Sequence, residues 1–210
     1  MSTDGDSVER DHPRSLVRAA FVISWYSLVW TLGASTAAIA IGATQSSQVL
    51  IALGCIGLGD ALGSAALISH FRHGLHHEAF SARRESLAHH AVSISLFVSG
   101  IANGAVAVAR LIAGDSSKGS WAGMAVAAAS VAALLWLARR KVQIARPLRA
   151  AGLLADGHLS AIGAVQAGVA VLGIAASRWL DVHWADSVAA LAVSAAAVAV
   201  GIATWKERPA

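Results

Sequence analysis

One cysteine, three prolines and 13% charged residues in a chain of 210 set the first limits on what this protein can be. The lone Cys55 excludes an internal disulfide framework and a cysteine-based zinc site. A soluble domain carries roughly twice that share of charge. No glycine-rich phosphate loop, nucleophile elbow or metalloprotease motif occurs, so no enzymatic activity is expected. The first 15 residues lack the basic start and apolar core of a secretory signal, and helix 1 is therefore expected to be retained.

What the chain has in abundance is apolar and small residues. Hydrophobic types make up 56% and glycine contributes 19 residues, with a mean hydropathy of +0.62. Apolar segments fall at 16–43, 46–71, 87–114, 120–138, 147–176 and 183–205. Each meets the roughly 20 residues needed to cross about 30 Å of hydrocarbon, and in lipid such segments must be helical. The expected architecture is an all-α membrane protein of six transmembrane helices, occupying 16–206 behind a cytoplasmic tail at 1–15, with no C-terminal soluble domain.

The net charge of +4 is distributed by topology. Arg10, Arg14 and Arg18 precede helix 1, Arg72, Arg83 and Arg84 separate helices 2 and 3, and Lys206 and Arg208 end the chain. Arg139, Arg140, Lys141, Arg146 and Arg149 read as the connection between helices 4 and 5. The opposite loops hold Lys118 and Arg178, with Arg110 near the outer end of helix 3. This asymmetry predicts cytoplasmic termini in the inner (plasma) membrane and argues against nucleic-acid binding.

Ionisable residues inside the apolar runs carry the functional information, because each is costly there unless paired, hydrated or protonated. Asp60 lies in "CIGLGDALGSAAL" of helix 2, and Asp156 and His158 lie in "LLADGHLSAIG" of helix 5. Counting along the helices puts all three at roughly 14–18 Å from the cytoplasmic face, near the midplane. Secondary transporters commonly place substrate sites at that depth. Asp156 and Ser160 share a helix face, whereas His158 falls about 200° round from Asp156. Both can point at Asp60 only if Gly157 distorts the helix; otherwise one faces another neighbour. A buried hydrogen bond that fixes packing is the structural alternative.

A second cluster, "SHFRHGLHHEAFSARRESLAHH", joins helices 2 and 3 and holds His70, His73, His76, His77 and Glu78. Imidazoles and a carboxylate at this spacing suit zinc, cobalt or nickel, and the same loop also reads as a solvated, titrating segment. Asp186 in "HWADSVAAL" starts helix 6 and reads as a cap or packing residue. Trp179 and Trp184 fit an interfacial belt, and Arg110 is a partner for Asp115 or Asp186.

The order of these features resembles the cation diffusion facilitators, in particular a short branch without the cytoplasmic C-terminal domain. "SSQVLIALGCIGLGDALGSA" is similar to that family's helix 2, "LLADGHLSAIGAVQAGVAVLG" to its helix 5 and "HWADSVAALAVS" to its helix 6. The resemblance implies a secondary transporter that exports a divalent cation such as zinc or cobalt in exchange for protons. Asp60, Asp156 and His158 would be its ligands, and Ser160 and the loop residues accessory sites. The metal would be cargo, with no permanently bound cofactor, and the protein a homodimer in the bilayer. Ile56 and Ile162 stand where the family carries two further ligands, so the four-ligand set is not intact. That departure favours a second reading, a degenerate member that serves as a membrane interaction or assembly protein.

Overall fold

The computed structural model describes residues 5–74, 82–114, 120–148, 150–180, 182 and 184–206, and among these there is no strand. Six helices follow one another: α1 (Gly5–Gln45), α2 (Gln48–Gly74), α3 (Ala82–Ala113), α4 (Trp121–Leu148), α5 (Ala151–Trp179) and α6 (Ala185–Lys206). All six contain a stretch long and apolar enough to cross a membrane. The chain is accordingly a multi-pass membrane protein.

The pattern of burial suits lipid and not water. Large apolar side chains face outward, among them Tyr26, Val29, Ile112, Val165 and Leu172. The interior is built from small ones: Ala20, Ala52, Ala107, Ala127, Ala167, Ala170 and Ala190 are fully buried. Lipid tails are as apolar as leucine, so helices gain by close backbone approach and van der Waals packing. Two glycines make such an approach possible. A Cβ on Gly57 of α2 would strike Ser35 Oγ of α1, and one on Gly157 of α5 would sit 3.2 Å from Lys141 Cβ of α4.

The most extensive packing pairs α1 with α2, α4 with α5, and α3 with α6. α2 is also in contact with α3, α5 and α6, which makes it the central helix. α1 and α2 are joined by a tight turn, with Ser46 in the left-handed region (φ 53°) and Ser47 N donating to Gly42 O at 2.9 Å. This is the hydrogen-bond pattern that closes many helix C-termini.

The basic stretch read above as a connection between helices 4 and 5 is helical. α4 runs past the apolar segment to Leu148, and Arg139, Arg140, Lys141 and Arg146 all lie within it. Arginine and lysine are good helix formers, and no breaker precedes Pro147. Arg139 and Arg140 are exposed, but Lys141, turned a further 100° round the helix, is buried on the face of Leu137 and Ala145.

Candidate functional site

Asp60 lies twelve residues from the start of α2 and fourteen from its end, on the wall of a cavity of about 60 Å³. Thr31 and Ser35 of α1, Ser130 of α4 and Gln166 of α5 line the same space, with Ile56 and Ile162 among its apolar walls. Thr31 Oγ1 is buried and has no hydrogen-bond partner among the described residues. Gln166 Nε2 donates to Val193 O at 3.3 Å, which leaves its amide oxygen for another partner. Organic ligands occupy pockets of several hundred Å³. A cavity of this size instead suits a few waters or one small ion.

One helical turn from the cavity-lining Thr31 and Asp60, at the level of Ser27 and Ser64, α4 supplies a buried cation. Lys141 is fully buried, and its Nζ stands 2.6 Å from Asp156 Oδ2. The same nitrogen donates to Ser27 Oγ at 2.7 Å and to Ser160 Oγ at 2.9 Å. Ser64 Oγ in turn donates to Ser27 Oγ at 3.1 Å, and Ser160 Oγ to Asp156 O at 3.0 Å. The cluster ties α1, α2, α4 and α5 together at one layer. It sits among Ala20, Ile23, Leu137, Ala145 and Leu153, where an unpaired charge would be costly. Asp60 lies one helical turn along α2 from Ser64, whose hydroxyl donates to Ser27 of the cluster.

A polar track connects the two features. Ser24, Ser27, Thr31 and Ser35 recur at three- and four-residue spacing, all buried on one face of α1. Ser64 lies one turn from Asp60 on α2, and Asp156, Ser160 and Gln166 are buried along α5. Together they run from the Lys141 cluster to the cavity.

Asp186 belongs to a separate site at the other end of the bundle. Its Oδ1 accepts from Ser47 Oγ at 2.6 Å, and its Oδ2 from Gln48 N at 2.7 Å and Val49 N at 3.3 Å. The carboxylate thus caps α2, satisfying two of the four amides a helix N-terminus leaves open. Arg110 donates to Ser46 O at 2.7 Å in the adjoining turn. Asp115, its other expected partner, lies outside the described residues. Nearby, Trp121 and Trp179 meet edge to face at 5.7 Å, and Arg178 stands 4.8 Å over the Trp121 ring.

The residues singled out in the sequence are placed unequally. Asp156 and Ser160 of α5 meet at Lys141, whereas Asp60 lies on the cavity wall, one turn along α2 from Ser64. His158 does not join them. α5 continues undistorted through Gly157, so His158 is exposed on the outward face that Val165, Leu172 and Trp179 extend at seven-residue steps. α5 begins at Ala151, which places Asp156 about 8 Å from the helix start, nearer the end of the bundle than the midplane. His76, His77 and Glu78 lie outside the described residues, as do the side chains of His70 and His73. Among the described residues, no three of His, Cys, Asp and Glu come together as a metal would require.

Lys141 was the residue missed. It reads as loop charge when the apolar run is taken to end at 138. Its signal is the four-residue step from Leu137 to Lys141 to Ala145, continuous with the buried face of α4. No family model matches the chain, and no curated protein matches it either.

Proposed function

We propose that the protein is a secondary transporter that moves a small inorganic cation out of the cytoplasm in exchange for protons, with Asp60 as the residue that holds one or the other. The observation that carries this reading is a carboxylate on the wall of a small, mostly apolar cavity into which three hydroxyls and one amide are set, in the middle of six apolar helices. An intramembrane carboxylate is expensive, and an ion or a proton neutralises it. Cation and proton therefore compete for the same oxygens, which is the minimal requirement for exchange. Rocking of the helices around this site would then open it alternately to the two sides.

The donor set favours hard cations. Asp60, Thr31, Ser35, Ser130 and Gln166 offer carboxylate, hydroxyl and amide oxygens, without imidazole or thiolate. Such oxygens suit sodium, potassium, magnesium or manganese better than the zinc or cobalt implied by the family resemblance.

The decisive experiment is cation-driven proton flux in proteoliposomes of the purified protein, with Asp60→Asn as the control. Flux in the wild type that the substitution abolishes is the expected result. The interaction-protein reading keeps one specific support: Lys141 already neutralises Asp156, so that carboxylate serves as part of a packing clasp. Absence of any cation-driven flux in folded wild-type protein would select it.

A further inference from the structure

We propose that Lys141 is a specificity-determining residue, a tethered cation that sets the charge of the site and restricts its cargo to monovalent ions. This rests on Asp60 and its cavity being the cation site, and it names the class of cation that site accepts.

The geometry pairs Lys141 with a carboxylate. Its nitrogen is ion-paired with Asp156 Oδ2 at 2.6 Å and donates to Ser27 Oγ and Ser160 Oγ at 2.7 and 2.9 Å. The serines are themselves oriented, one by Ser64 and one by the carbonyl of Asp156. The site is thus built around a fixed positive charge.

Charge balance then decides the cargo. Among the described residues the fully buried charges are Lys141, Asp156 and Asp186, and Asp186 is committed to capping α2 at the far end. The half-buried Asp60, one helical turn from Ser64 of the same cluster, completes the set. Two carboxylates and one ammonium leave a single negative charge. A monovalent cation neutralises it; a divalent cation leaves one positive charge in a low-dielectric interior, which is strongly disfavoured. Without the lysine, the same two carboxylates would balance a divalent ion. The ammonium occupies the charge that a second metal valence would otherwise fill.

The test is a charge series. Fluxes of sodium, potassium, magnesium and zinc are measured in proteoliposomes of wild type, Lys141→Gln, Asp156→Asn and the double variant, each first checked for folding by gel filtration and thermal melting. Wild type is expected to move monovalent ions at least tenfold faster than divalent ones. Asp156→Asn, with a neutral site, loses transport more than tenfold. Lys141→Gln shifts preference toward divalent ions, and the double variant, again one charge short of neutral, returns to monovalent ions. Should a single variant fail to fold, the wild type and the double variant, which removes both members of the ion pair together, decide the matter. Divalent transport by the wild type that equals or exceeds its monovalent transport overturns this inference and leaves the cation-site reading standing, as does a double variant that prefers divalent ions. Absence of flux for every ion in folded wild-type protein overturns both.

Discussion

Lys141 Nζ stands 2.6 Å from Asp156 Oδ2, and both side chains are shut off from their surroundings. The pair bridges α4 and α5 at the level where Gly157 lets the two backbones approach. Removing one partner leaves the other charge buried alone. Lys141→Met or Asp156→Asn should each cost about 3–5 kcal/mol of stability, and the combined variant should recover most of it. Thermal melting in detergent micelles would check this; equal losses in the single and double variants would contradict it.

His158 faces away from the cavity on an exposed stripe of α5. His158→Ala should therefore change cation-driven flux by less than about twofold and stability by within about 0.5 kcal/mol, as is usual for an exposed position. A tenfold loss of flux would return this imidazole to the site.

Asp186 accepts three hydrogen bonds from the start of α2. Asp186→Ala should cost about 1–3 kcal/mol, because buried amides lose their acceptor and a cap is removed. Asp186→Asn, which keeps one acceptor oxygen, should cost less. Hydrogen exchange at Gln48 and Val49 would show the effect locally, and unchanged protection there would contradict the capping role.

Gly57 and Ser35 set the α1–α2 spacing beside the cavity. Gly57→Ala should push the helices apart and cost about 1–3 kcal/mol through overpacking. Adding Ser35→Gly removes the hydroxymethyl group that the new Cβ meets and should recover much of the loss. Additive losses in the double variant would show that the crossing is not set by this contact.

The six helices were legible because membrane-spanning length and apolarity are properties of the chain alone. Asp60 and Asp156 stood out for the same reason: charge in an apolar run is conspicuous. What the sequence concealed was direction. Asp156 and His158 are two residues apart, and only the undistorted course of α5 through Gly157 shows that one turns inward and the other outward. Lys141 was concealed by its neighbours, since Arg139 and Arg140 made it look like one more loop charge, whereas a 100° step separates an exposed arginine from a buried ammonium. The serines of α1 were overlooked because a hydroxyl among alanines hardly changes hydropathy, although Ser24, Ser27, Thr31 and Ser35 repeat at helical spacing. Asp186 read correctly as a cap, but the helix that it caps is α2, brought to it from 138 residues away.

The central claim is that one carboxylate holds either a cation or a proton. Calorimetric titration of the purified protein with sodium and potassium, repeated in buffers of different ionisation enthalpy and across a pH series, tests it most directly. The account predicts saturable binding accompanied by proton release, with affinity that falls as pH falls because protons compete for Asp60, and no binding in Asp60→Asn. Cation binding that persists unchanged in Asp60→Asn, or that releases no proton at any pH, would contradict it.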